Sequence, residues 1–76
     1  MDITNTHTVY DSERKRWENK KEGKRKPLSS RFTKDAAQEG GRAIAKQEEV
    51  EHFIHNKNGR IGEHNSYEPD PFPPRG

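Results

Sequence analysis

FTKDAAQEGGRAIAKQEEV, residues 32–50, is the stretch of this 76-residue chain that best fits a helix. Thr33 is a natural N-cap, because its hydroxyl can accept from an N–H of the first turn. Asp35 complements the positive end of the helix dipole. Ala36, Ala37, Gly40, Gly41, Ile44 and Ala45 fall on one stripe at helical spacing, opposite Lys34, Glu39, Arg42 and Lys46. The Gly40-Gly41 pair costs about 1 kcal/mol per glycine in helix propensity. Close packing of the helix on a sheet is the simplest reason to keep it, and a kink is the alternative.

Downstream, VEHFIHNKNGRIGEHNSY (50–67) reads as a hairpin. Val50 to His55 is strand-like, Asn58-Gly59 is a strong tight-turn signal, and Arg60 to Glu63 returns. Val50, His52 and Ile54 face one way, and Glu51, Phe53 and His55 the other. Both faces carry an apolar residue, so the buried one stays open. His52 and His55 therefore cannot chelate together.

Upstream, THTVYDSERKRWENKKEG (6–23) reads as a first hairpin. Its turn formers are Asp11 and Ser12, and Trp17 lies in an otherwise charged second strand. KEGKRKPLSSR (21–31) contains Gly23 and Pro27 and reads as a loop or a frayed strand end. The order strand, strand, helix, strand, strand predicts an α+β fold. It would be a small ββαββ domain over residues 6–66, its antiparallel sheet covered on one face by a single helix. Residues 1–5 would be a flexible N-terminus and 67–76 a proline-rich tail.

These residues carry a resemblance. His55, Gly59, Arg60, Ile61, Ser66, Tyr67, Asp70, Pro71, Pro73 and Pro74 fit one family pattern: a strand ending in Val-His, an Arg-Ile turn, Ser-Tyr, and an Asp-Pro-x-Pro-Pro ending. In this the chain resembles the DUF2188-type family of small bacterial and phage domains of unknown function. The resemblance is carried by residues 33–76. Over residues 11–32 this chain has a long basic stretch, where the family has a short hairpin with a Gly-Trp step. The resemblance supports the order of elements and implies no activity. The family's occurrence in phages suggests, by analogy, an accessory factor of a mobile element.

Composition narrows the functional classes. Apolar residues make up 24% and charged residues 37% of the chain, so any core is thin and enclosing a catalytic pocket is difficult. There is no cysteine, which excludes disulfides and thiolate metal sites. No apolar run approaches the roughly 20 residues of a membrane span, which points to a cytoplasmic protein without membrane contact. No phosphate loop, nucleophile motif or metal-ligand spacing is present among His7, His52, His55 and His64, so neither enzyme activity, cofactor nor metal is expected.

Charge is lopsided. Residues 1–34 hold ten Lys/Arg against five Asp/Glu, and residues 35–76 hold five against eight. The run RKRWENKKEGKRK contributes Arg14, Lys15, Arg16, Lys20, Lys21, Lys24, Arg25 and Lys26 around Trp17. Cations with an embedded ring suit nucleic acid, since they release counterions from phosphates and the indole can stack on a base. The plainer reading is a solvated hairpin with Trp17 in the core. An acidic protein surface is the other partner such a patch would meet.

In the tail SYEPDPFPPRG, Tyr67 and Phe72 either fold back over the sheet or belong to a stiff extended peptide. Pro71 to Pro74 has the PxxP spacing read by aromatic grooves. The expected protein is a small non-enzymatic binding module that contacts nucleic acid through its basic hairpin. Its rival is a protein-interaction or inhibitor module that binds a host factor, or itself through its sheet, without nucleic acid.

Overall fold

Three strands, not two, precede the helix. The computed structural model describes residues 4–67. It contains β1 (Thr6–Asp11), β2 (Arg16–Lys21), β3 (Ser29–Arg31), α1 (Lys34–Glu48), β4 (Glu51–His55) and β5 (Ile61–Ser66). They form one α+β unit with a single helix and a five-stranded mixed sheet in the order β3-β2-β1-β4-β5. The ββαββ expectation therefore lacked a strand, and the sheet is not wholly antiparallel.

The two corrections have one cause. Ser29-Ser30-Arg31 has no β-branched or aromatic residue to announce a strand, yet its backbone pairs with Asn19, Glu18 and Trp17 of β2. Asn19 Nδ2 also donates to Ser29 Oγ at 3.1 Å. With an odd number of antiparallel strands before the helix, β3 runs parallel to β1. The helix crosses back over the sheet, so β4 starts in the direction of β3 and pairs parallel with β1, Thr6 opposite His52 and Thr8 opposite Ile54. Two strands before the helix would have made that pair antiparallel.

The helix begins where its cap predicts. Ala36 N donates to Thr33 Oγ1 at 3.2 Å, and Asp35 lies in the first turn. It ends at Glu49, whose φ of 58° is left-handed. Glu49 N donates to the Lys46 carbonyl and Val50 N to that of Ala45, a Schellman ending built without glycine. On the helical stripe Ala37, Gly41 and Ala45 are buried and Ala36 is exposed.

The layer beneath α1 is half polar. Trp17, Ala37, Ala45, Val50 and Ile54 are its buried apolar members, while Thr6, Thr8, Asn19 and His52 are almost wholly inaccessible. Four of these groups are linked in one chain. Asn19 Nδ2 donates to the Ala37 carbonyl at 2.9 Å, and Thr8 Oγ1 donates to Asn19 Oδ1 at 2.6 Å. Having spent its proton, the Thr8 hydroxyl accepts from His52 Nε2 at 2.7 Å. A thin apolar supply is thus supplemented by a chain of polar groups that ties β2, β1, β4 and α1 together, while Thr6 Oγ1 and His52 Nδ1 are buried without a partner.

The last hairpin is looser than a two-residue turn. Gly59 N donates to the Asn56 carbonyl at 2.9 Å and Asn56 N to that of Arg60 at 2.7 Å. Of Asn58 and Gly59, only Gly59 takes a positive φ, 88°. A bulge follows, since His55 pairs with Ile61 and Ile54 with Glu63, skipping Gly62.

Candidate functional site

The helix covers one face of the sheet, and among the described residues no helix packs on the other. Alternation puts Thr6, Thr8, Asn19, His52 and Ile54 under the helix. It puts His7, Val9, Arg16, Glu18, Lys20, Glu51, Phe53, His55 and His64 on the uncovered face. That settles the open register of β4, because His52 and Ile54 are buried and Phe53 and His55 are the accessible pair.

A row of rings crosses the uncovered face. His7 of β1 stacks on Phe53 of β4, centroids 5.0 Å apart, and Phe53 stacks on His64 of β5 at 4.4 Å with planes 5° apart. His55 stands beside His7, their facing nitrogens 3.0 Å apart. Acidic residues brace the row: His7 Nε2 donates to Glu22 Oε1 at 3.0 Å, and His64 Nε2 donates to Glu51 Oε1. The bond from His7 holds the Glu22 carboxyl below its ordinary value. Next to the row, His7, Val9, Lys20, Glu22, Lys24 and His55 line a shallow depression of about 280 Å³.

The basic run does not form one patch. Arg14 and Lys15 are exposed at the β1–β2 turn, while Lys24, Arg25 and Lys26 are exposed beyond the far end of β2. Six residues of strand, about 20 Å, separate the groups. Arg16 and Lys20 lie between them on the uncovered face. Arg16 holds its guanidinium 4.8 Å from the centre of the Phe32 ring, which is 76% exposed. Glu18, between the two, is buried and pairs with Lys20 at 3.6 Å.

Two predicted contact residues belong to the other layer. Trp17 is 6% exposed, packed on Tyr10 with the Lys34 ammonium over its ring, so no base reaches its face while the helix is in place. Lys21 points to the helix side and is ion-paired with Glu48. Tyr67 is half-buried; its N–H donates to the Val50 carbonyl, and Lys46 lies over its ring. Pro71, Phe72, Pro73 and Pro74 lie outside the described residues.

The ring row was missing from the sequence reading because His7 and Phe53 meet only through the parallel β1–β4 pair. The one local signal was strand alternation, which places His7 on the opposite face from Thr6 and Thr8 without saying which face is buried. Among the described residues no three His, Cys, Asp or Glu side chains converge on one point, and no helix is long and apolar enough to cross a membrane.

No curated protein and no solved structure matches the chain. A family model matches over residues 6–67, which includes the basic stretch where the resemblance was weakest and stops before the proline-rich end. With most of its length matched, the chain belongs to the family described as uncharacterized protein conserved in bacteria (DUF2188).

Proposed function

We propose that this chain is a small, non-enzymatic, cytoplasmic binding module that takes single-stranded nucleic acid across the uncovered face of its sheet. One observation carries the reading: the His7–Phe53–His64 row lies on the same face as Arg16 and Lys20. Phe53 is sandwiched between His7 and His64, so the face the row offers to a base of any sequence is the outer face of His64 at its β5 end. The cations on the same side of the sheet take up phosphates. Arg16 and Lys20 are four residues apart along one strand, about 13 Å. That is a span of a few nucleotides, and the Arg16–Phe32 pair adds a second ring beside it.

Fluorescence anisotropy with labelled oligonucleotides tests this. Single strands should bind more tightly than duplex of the same length. His64→Ala, which removes the outer ring of the row, should lose about 1–3 kcal/mol of single-strand affinity, the value of one stacked base. Equal affinity for duplex and single strand, or no effect at His64, would overturn the reading.

The rival is self-association through the sheet. It is favoured by Ile61, 54% exposed on the outermost strand β5, whose free edge can pair with a second copy. Sedimentation equilibrium with and without oligonucleotide separates the two.

A further inference from the structure

Two hydrogen-bond partners fix the tautomers of two histidines on the uncovered face. His7 Nε2 lies 3.0 Å from Glu22 Oε1, a carboxylate oxygen that only accepts, so Nε2 carries the proton. His55 Nδ1 faces the Gly59 carbonyl at 3.3 Å, another pure acceptor, so Nδ1 carries that ring's proton. In the neutral rings the remaining nitrogens, His7 Nδ1 and His55 Nε2, are then both bare. They face each other across 3.0 Å. With the ring centroids 5.2 Å apart the two nitrogens meet nearly head-on, so one added proton would join them in an N–H···N bond, and a metal ion would bind both by drawing the rings off that line.

We propose that His7 and His55 form a two-nitrogen site for a divalent late first-row metal ion, Cu²⁺ or Ni²⁺ ahead of Zn²⁺. Metal–nitrogen bonds of about 2.0–2.1 Å to nitrogens 3.0 Å apart enclose an angle of roughly 91–97°. A tetrahedral zinc would spread its ligand nitrogens to about 3.3 Å. A near-right angle suits the tetragonal N/O geometry of Cu²⁺ and Ni²⁺, both of which accept imidazole.

The surroundings fit a ligating pair. Each ring has its outer nitrogen bonded to a carboxylate or a backbone carbonyl, which is how ligating histidines are oriented and made more basic. The rings also border the shallow depression, which leaves room for further ligands. No third protein group among the described residues converges on them, so water or an anion completes the shell.

The test is isothermal titration of the untagged full chain with NiCl₂, CuCl₂ and ZnCl₂ at pH 7.5. One ion per chain is expected, with Cu²⁺ and Ni²⁺ binding more tightly than Zn²⁺. His7→Ala and His55→Ala should each weaken binding at least tenfold, and Glu22→Gln roughly tenfold through loss of the orienting carboxylate. His64→Ala should bind as the parent does. Circular dichroism of each variant reports folding, and His55→Gln replaces His55→Ala if the latter unfolds. No stoichiometric binding by the folded parent, or unchanged binding in folded variants at both His7 and His55, overturns the proposal. So does imidazole ¹⁵N NMR showing both His7 nitrogens protonated at pH 7.5 and unmoved by metal, since the bridging cation would then be a proton.

Discussion

Gly41 sits directly over Thr8: a methyl group on its Cα would stand 2.7 Å from Thr8 Oγ1. The same methyl would lie 2.5 Å from His52 Nε2 and 2.6 Å from Asn19 Oδ1. The glycine is there so that the helix can close on three polar groups, with Asn19 and His52 each bonded to Thr8. Gly41→Ala gains about 1 kcal/mol of helix propensity. It must nevertheless displace side chains already committed to one another. The expected outcome is a net loss of roughly 1–3 kcal/mol in urea denaturation. Gly40→Ala is the control, because its methyl would meet only Asn19 Nδ2 at 3.2 Å and Ser29 Oγ at 3.9 Å. It should change stability by less than about 1 kcal/mol. Equal stability of Gly41→Ala and the parent would mean that the helix does not rest on this triad.

His52 makes the same layer sensitive to acid. Its Nε2 donates to Thr8, and its Nδ1 is buried without a partner. Burial, assisted by the charge of Arg42, holds its pKa below the ordinary 6.5, against an opposing pull from Glu63. The folded pKa is the depressed one, so the unfolded chain takes up the proton first. Stability is therefore complete above about pH 6.5, falls as pH drops below it, and levels off below the folded pKa. The slope from this group cannot exceed about 1.4 kcal/mol per pH unit. Urea midpoints at pH 7.5, 6.5 and 5.5 should decline in that order, and His52→Gln should flatten the decline. An undiminished slope in His52→Gln would place the acid sensitivity elsewhere.

How much of this was legible depended on whether a residue's signal was local. Thr33 as cap and the small residues Ala37, Gly41 and Ala45 as the packed stripe read directly, because the helix period and the cap need no knowledge of neighbours. β3 did not, since Ser29-Ser30-Arg31 becomes a strand through its pairing with β2. That omission also hid the parallel β1–β4 pair, and with it the meeting of His7 with Phe53 and His55. Three histidines that looked like ordinary surface residues thus became a cluster. Thr8, Asn19 and His52 were unreadable for a related reason. Polar residues announce burial only when their partners are known, and theirs lie 11 and 44 positions apart along the chain.

The helix ending offers a gain in stability. Glu49 holds φ at 58°, a conformation that costs a residue with a Cβ about 1–2 kcal/mol and glycine almost nothing. The two bonds that close the helix there are backbone bonds that any residue can make. Glu49→Gly should therefore stabilise the chain by about 0.5–1 kcal/mol, after allowance for glycine's greater freedom when unfolded. Thermal melts should show the midpoint rising. A fall would mean that the Glu49 side chain supports the fold in a way that outweighs the strain.

The positions of the cations lead to the last prediction. Arg16 and Lys20 lie on the uncovered face, whereas Lys21 is ion-paired with Glu48 beside the helix, its side chain only 11% exposed. If phosphates track along β2 on the uncovered face, each cation that contacts one contributes about 0.7 to the slope of log K against log salt for a single strand. The double variant Arg16→Ala, Lys20→Ala should then flatten the slope by about 1.4 units. Lys21→Ala should leave the slope unchanged while lowering the melting temperature, because it removes a partner of Glu48 rather than of a phosphate. Arg14→Ala, Lys15→Ala tests the turn at the end of the strand and should have an intermediate effect if the nucleic acid extends past β2. Anisotropy titrations between about 50 and 200 mM salt, a range over which several phosphate contacts change affinity by orders of magnitude, give all three slopes. A flattened slope in Lys21→Ala with none in the Arg16, Lys20 variant would reverse the assignment of faces. Three parallel slopes would remove nucleic acid from this surface and leave the acidic-protein partner to be sought there instead.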